Sequence, residues 1–242
     1  MKGSFFPKEW ARENCNFLHY SPIAFRSFCE LEKAYKLINA DEDLLLTGRR
    51  KYMVYENAAI CETFSAFALE SYLNMYAATC LGDQAFYDNY ERLSALSKMQ
   101  LISMFLYQEQ INKDCELYSL LKHAFSQRDY HAHGKSTAIE SGMTEEEVEA
   151  SIAYDNAHED EMIQKALFSA RQRLKNERTS ALLSLRALVG VACYIDAHDT
   201  TAFAKRTLLE YCSHGEIIYG SSFSDEMKVL VVELVKHFNN AQ

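Results

Sequence analysis

One segment near the middle of the chain combines residue types that can hold a phosphate and transfer protons. Residues 115–135 read CELYSLLKHAFSQRDYHAHGK, and their apolar residues recur at the spacing of one helix face. This apolar stripe begins at Leu117 and reaches Phe125, and its next position is Arg128. A guanidinium cannot lose its proton to escape burial. Arg128 therefore needs an acidic partner, a cleft between subunits or an anionic ligand.

An aspartate and two histidines follow this arginine. On a continuous helix Asp129 and His133 share a face, so the carboxylate can orient the imidazole and favour its charged form. Arg128 and His133 lie five residues apart, about 140° around an ideal helix. The two side chains converge only if the helix distorts before Gly134, or if a second subunit supplies half of the site.

Three interpretations of this cluster stay open from the residues alone. In the first, Arg128 pairs with a carboxylate inside the protein and the histidines lie on a frayed helix end. In the second, His131 and His133 bind a metal together with His123, although an HxH pair shares a face on a strand and not on a helix. In the third, the arginine and a histidine act on a phosphate.

Further candidates for contacts to a substrate lie beside the cluster and upstream of it. Glu70 and Asn74 share a helical line with Phe67 and are candidate partners for Arg128, for the backbone or for a substrate.

Four residues in or beside the cluster are further candidates for contact with a substrate. His131 is either a second proton-transfer group or an exposed ring, and Tyr130 is a candidate platform for base stacking. Lys122 and Lys135 either contact backbone phosphates or are solvated surface lysines.

The sequence RDYHAH at residues 128–133 resembles the motif of the HEPN superfamily, in which Arg is followed by Asn, Asp or His, then by three residues and His. A helix of the type LLKHAFSQ leads into the motif, and Gly134 and Lys135 follow it, as is common in that family. Residues 67–74, FALESYLN, resemble the early HEPN helix with its Glu and Asn, and residues 91–98, ERLSALSK, resemble the second. The resemblance covers roughly residues 50–200.

The resemblance implies a helical bundle that dimerises so that two motifs face one cleft, and a metal-independent endoribonuclease without a cofactor. In RNA the 2′-hydroxyl attacks its own phosphate, so DNA is expected to be spared. Arg128 would hold the phosphate, and His133 would act as general base or acid. Asp129 would orient His133.

The expected partners are RNA, a second copy of the chain and, because such enzymes are often microbial toxins or defence proteins, a cognate antitoxin or inhibitor protein. The first alternative is a non-catalytic HEPN-like protein that binds a nucleotide, RNA or a protein partner through the same cleft. The second is a structural adaptor whose acidic segment, residues 140–161, docks a basic partner.

Composition favours long helices, because the 242 residues include only 2 prolines and 8 glycines. The net charge of −9 is concentrated in residues 140–161, so the rest of the chain is neutral and can still present a basic groove. No stretch reads as a signal peptide or as 18 uninterrupted apolar residues, which predicts a cytoplasmic protein without a membrane partner. Seven scattered cysteines without a CxxC pair predict buried free thiols.

The pattern predicts an all-α, antiparallel helical bundle with N- and C-terminal helical extensions. Its predicted divisions are an N-terminal arm and helix over 1–49, a HEPN-like bundle over 50–200 and packed C-terminal helices over 201–242. The first predicted helix starts at Ser21, as an N-cap before Pro22, and runs to about Ala40. The later ones are 51–80 up to the stop at Gly82, 84–112, a helix capped by Asp114 and ending near Gly134, a short helix from Thr144, 161–197, 200–213 and 224–238.

Overall fold

The structure, a computed structural model, describes residues 17–40, 49–133, 159–198 and 223–239. Within these ranges the chain forms seven helices and no strand, so the predicted all-α fold is confirmed. In chain order the helices are α1 Phe17–Ala40, α2 Arg49–Leu81, α3 Asp83–Asn89, α4 Ala95–Tyr107, α5 Glu116–Ala132, α6 Glu159–His198 and α7 Asp225–Asn239.

Helix α2 is the central element, and α1, α5 and α6 all pack against it. α1 runs antiparallel to α2, because Phe17 meets Tyr72 at a ring-centroid distance of 5.5 Å while Tyr20 meets Phe67 at 5.7 Å. α5 is also antiparallel to α2, because Arg128 meets Glu70 and His131 meets Glu62. α6 is parallel to α2, so α1 and α5 are antiparallel to both of these helices. These four helices form the predicted antiparallel bundle, and α7 covers α1 and α6 at its edge.

The apolar surface of α2 is wide because the helix has bundle neighbours on several sides. Its fully buried positions include many small residues, which let the neighbouring helices approach closely. Among these positions are Ala58, Cys61, Ala66, Ala68, Leu69, Leu73 and Ala77. Gly82 ends the helix with φ 83°, a left-handed conformation that glycine adopts without strain. This end of the helix agrees with the sequence prediction.

The predicted start of α1 at Ser21 is wrong. Helical backbone already begins at Phe17, and the Ser21 hydroxyl donates back to the Phe17 carbonyl at 2.7 Å instead of capping a helix. Pro22 lies inside the helix and removes one backbone donor. Packing of Phe17 and Tyr20 on α2 holds the extra turn, so tertiary contacts outweigh the local start signal. The predicted end at Ala40 is confirmed.

The single helix predicted over 84–112 is wrong as well, because the chain forms two helices, α3 and α4. Ser94 caps α4: its Oγ accepts from the backbone N–H of Ser97 at 3.2 Å. α4 ends at Gln108, which has φ 56° and closes the helix in the left-handed conformation. The apolar spacing alone continues across the break and so conceals it.

The start of α5 differs by one residue from the prediction. Cys115 caps it, its Sγ accepting from the N–H of Tyr118 at 3.4 Å, whereas Asp114 turns its backbone N–H to Asn112. α6 agrees with the prediction within two residues at each end, and α7 begins after Ser224, whose Oγ accepts from Met227 N–H at 3.3 Å. The predicted helices from Thr144 and over 200–213 lie outside the described residues.

Helix α6 includes an 18-residue window of mean hydropathy 1.5, apolar enough by length and composition to cross a membrane. Of that window, 61% is buried inside the protein, as the core helix of a bundle also would be. Gly190 marks its closest approach to neighbours, since a Cβ there would lie 2.7 Å from the ring of Phe238 and 3.0 Å from Leu117.

Of the five cysteines in the described ranges, Cys29, Cys61, Cys115 and Cys193 are free thiols. Three of them, Cys29, Cys61 and Cys193, are buried as predicted, whereas Cys80 is exposed and Cys115 is half-buried. Burial raises the pKa of Cys29 and of Cys193 to about 11, so these thiols stay protonated near neutral pH.

Candidate functional site

The C-terminal end of α5 brings Arg128 against α2. Its Nη1 donates to Glu70 Oε2 at 2.8 Å, while Nε and Nη2 donate to Asp129 Oδ1 at 3.0 and 2.8 Å. The guanidinium also lies over the Phe125 ring, 5.4 Å from its centroid. The Arg128 side chain is 27% exposed, so it lies at the rim of the bundle, and Glu70 is its internal partner as predicted.

His131 is the second residue that anchors this end of α5 to α2. Its Nε2 lies 2.6 Å from Oε2 of Glu62, a carboxylate only 1% exposed. The other oxygen of Glu62 is buried and has no hydrogen-bond partner among the described residues. Because a carboxylate only accepts, Nε2 carries the proton in this contact and Nδ1 is left as an acceptor when the ring is neutral.

Glu177 of α6 adds a further carboxylate to this region. Burial raises the pKa of Glu177, and the charge of Glu62 raises it further, while His131 acts in the opposite direction. The two glutamates and the imidazole therefore interact electrostatically across α2, α5 and α6.

Lys98 of α4 interacts electrostatically with Glu70, the partner of Arg128. Its side chain is almost fully buried, and this burial lowers its pKa, while Glu70 and Glu91 act to raise it. Glu70 thus interacts with the buried amine of Lys98 as well as with Arg128, with which it forms an ion pair.

His133 terminates α5 and is exposed. Its backbone N–H donates to the Asp129 carbonyl at 2.9 Å, and its ring forms no hydrogen bond to a residue that the structure describes. The Asp129 carboxylate contacts Arg128, although the sequence interpretation gave it the task of orienting His133. The adjacent guanidinium attracts it more strongly than an exposed ring one turn away.

The remaining predicted contacts are placed as follows. Tyr130 is exposed and meets the His131 ring edge-on at 5.4 Å. Asn74 is half-buried, and its Oδ1 has no hydrogen-bond partner within the described ranges. Lys122 is exposed, and Lys135 lies outside the described residues.

The three histidines of the metal interpretation have separate surroundings. His123 Nε2 lies 3.1 Å from both the carbonyl and the hydroxyl of Ser180, whereas His131 contacts Glu62 and His133 is at the helix end. Among the described residues no group of three or more His, Cys, Asp or Glu side chains is arranged to hold a metal ion.

Sequence reasoning did not identify Glu62, Glu177 or Lys98. A pattern for the first was present: Glu62 lies eight residues before Glu70 on α2, and this spacing brings both carboxylates to one face, with Ala66 between them. No comparable pattern marks Glu177 or Lys98, whose placement depends on how α6 and α4 pack.

Comparison of the chain with protein-family models, with curated proteins and with solved structures finds no match.

Proposed function

We propose that the protein is a metal-independent endoribonuclease whose site lies at the end of α5. One observation carries the proposal: Arg128 and His131 lie three residues apart on one side of α5, and each is held by its own carboxylate from α2, Glu70 and Glu62. An arginine and a histidine fixed side by side are the groups that phosphate chemistry on RNA requires. This pairing needs no distortion of the helix.

Arg128 is the proposed phosphate-binding group. A guanidinium has five N–H donors, and three are used in the contacts to Glu70 and Asp129. Two remain for phosphate oxygens. Asp129 is 57% exposed, so an incoming phosphate can displace it and take over its two donors, while Glu70 keeps the guanidinium in place.

The two histidines are the proposed proton-transfer groups. His131, with its Nε2 proton on Glu62, can accept a proton at Nδ1 from the 2′-hydroxyl. The 2′-oxygen then bonds to phosphorus, the bond from phosphorus to the 5′-oxygen breaks, and His133 donates a proton to that oxygen. The products are a 2′,3′-cyclic phosphate and a 5′-hydroxyl. RNA supplies its own nucleophile, and Arg128 supplies the positive charge that a metal would otherwise provide.

A homodimer belongs to the proposal because His133 and Tyr130 are exposed at the end of α5, where a second copy can contact them. In a two-fold dimer each motif can complete the other. Light scattering at micromolar concentration tests this part: a dimer is expected, and a monomer contradicts the shared site.

The test of function is incubation of the purified protein with total RNA in EDTA, beside His133→Ala and His131→Gln. The glutamine amide can still donate to Glu62, so that the second variant stays folded. We expect cleavage by the wild type and a loss of on the order of 10² or more in each variant. No cleavage by the wild type, with or without divalent ions, would contradict the proposal.

A specific observation favours a second candidate, a non-catalytic protein that binds a nucleotide, RNA or a protein through the same surface. Arg128 already has two carboxylates, Glu70 and Asp129, and the nearby Glu62 and Glu177 make the region acidic. This candidate predicts binding without cleavage in the same assay.

A further inference from the structure

A cavity lies between the N-terminal turns of α2 and the first half of α6. It measures about 410 Å³, and α2 contributes Lys51, Tyr52 and Tyr55 to its wall. From α6 come Arg173 and small residues, among them Ala170. The lining thus combines two cations, two aromatic rings and small side chains, and it contains no carboxylate.

The two cations of this cavity are available to a ligand. Neither Lys51 nor Arg173 forms an ion pair with an acid in the described part of the chain. The Tyr52 ring is 71% exposed, although a large aromatic surface is more stable when it is covered. Cations beside accessible aromatic rings are the features with which proteins hold single-stranded nucleic acid: the cations contact phosphates and the rings stack on bases.

The cavity is lined by α2 and α6, and α2 also holds the end of α5 through Glu62 and Glu70. Tyr55 and Arg173 line the cavity together, and Glu177 lies one helical turn beyond Arg173 on α6. Burial raises the pKa of the Tyr55 hydroxyl, the charge of Glu177 raises it further and Arg173 lowers it. Glu177 in turn interacts with Glu62 and His131. Tyr55 and Glu62 are seven residues apart on α2, which is about 10 Å along one helix face. Glu70, which holds Arg128, lies fifteen residues from Tyr55, about 22 Å along α2. An extended RNA strand covers that distance with several nucleotides.

We propose that this cavity binds unpaired nucleotides of an RNA strand, several nucleotides away from the phosphate held by Arg128, with a base stacked on Tyr52 and phosphates on Lys51 and Arg173. The inference rests on the proposed function, since it extends that site to its substrate. The small Ala170 wall leaves room for a flat base, and the cations match the charge of the strand. Duplex RNA lacks exposed base faces and does not fit such a stacking site.

The test is equilibrium binding of a fluorescein-labelled single-stranded RNA with 2′-O-methyl groups throughout, measured by anisotropy. This probe cannot be cleaved, so binding is measured independently of catalysis. Tyr52→Ala should raise Kd about tenfold, as expected for the loss of one stacked base. Arg173→Gln should weaken binding and reduce the slope of log affinity against log salt by about 0.7, the value for one lost phosphate contact.

Tyr87→Ala and Lys175→Gln are matched controls. Tyr87 is an exposed tyrosine of α3, and Lys175 is an exposed cation two residues beyond Arg173, and neither lines the cavity. Both controls should bind as the wild type does. Equal affinity of Tyr52→Ala and wild type, no binding by the wild type, or equal affinity for a duplex would overturn the inference. Binding that depends on Tyr52 in a protein that cleaves nothing would support the cavity and reject the nuclease.

Discussion

The two ends of α5 present the same residue types in different arrangements. At the C-terminal end, Arg128 and His131 each have a separate carboxylate, Glu70 and Glu62. At the N-terminal end, an arginine and a histidine share one carboxylate.

At the N-terminal end, Glu116 accepts from Arg186 of α6 and also lies 3.3 Å from Nε2 of His237 in α7. Arg186 contacts that same nitrogen. One nitrogen cannot accept from a guanidinium and donate to a carboxylate at once. A cluster of Arg, His and Glu is therefore suited to proton transfer only where one ring nitrogen of the histidine is a defined donor and the other a defined acceptor, as in His131.

The largest expected effect is on RNA cleavage, and it distinguishes Arg128 from Arg186. Arg128→Lys keeps the charge but loses the planar fork, so RNA cleavage should fall by on the order of 10² or more, the scale for one lost transition-state donor. Arg186→Lys should cleave as the wild type does. Initial rates with one labelled RNA, and circular dichroism to check folding, measure both. Normal cleavage by Arg128→Lys would make Arg128 a structural charge only.

The second prediction compares how much His131 and His237 each contribute to the free energy of unfolding. His131→Ala leaves the Glu62 carboxylate buried without a partner and should lower the free energy of unfolding by about 3 kcal/mol. His237→Ala breaks a pair that is nearly half exposed and should cost less than about 1 kcal/mol. Urea denaturation gives both values. Equal losses in the two variants would show that the Glu62 contact is no stronger than a surface contact.

The third prediction concerns the pH dependence of stability at the C-terminal end. The pKa of Glu177 is raised in the folded state, chiefly by burial, so the stability associated with its neutral form is lost as pH rises through that pKa. Glu177→Gln should therefore be more stable than the wild type at pH 7, by less than His131→Ala loses. The gain should disappear below the ordinary glutamate pKa. Urea midpoints across pH 4–8 measure it, and a gain that does not depend on pH would reject the electrostatic cause.

The fold was predictable where local residue chemistry decides a boundary. Gly82 ends α2 and Ser224 caps α7, because a left-handed turn and a side-chain cap are specified by single residues. The start of α1 was not predictable, since Phe17 becomes helical through its contact with Tyr72 on another helix. Tertiary packing determines that boundary.

The site was also predictable only in part. Arg128 interrupts an apolar stripe, and this interruption predicted an acidic partner, a cleft between subunits or an anionic ligand. Glu70 is the acidic partner that the structure gives. The pairing of His131 with Glu62 depends on how α5 is rotated against α2, and the sequence does not encode that rotation in any local pattern. The toxin or defence role, the inhibitor protein and the cytoplasmic location stay predictions.

Cleavage of matched RNA and DNA strands of one sequence in EDTA tests the central claim most directly. The proposed site needs the 2′-hydroxyl as nucleophile and no metal, so the wild type should cut the RNA, leave a 2′,3′-cyclic phosphate and spare the DNA. Mass spectrometry of the fragments identifies the ends. Cleavage of the DNA strand, or RNA cleavage that is absent in EDTA and restored by a divalent ion, would contradict the mechanism assigned to Arg128 and His131.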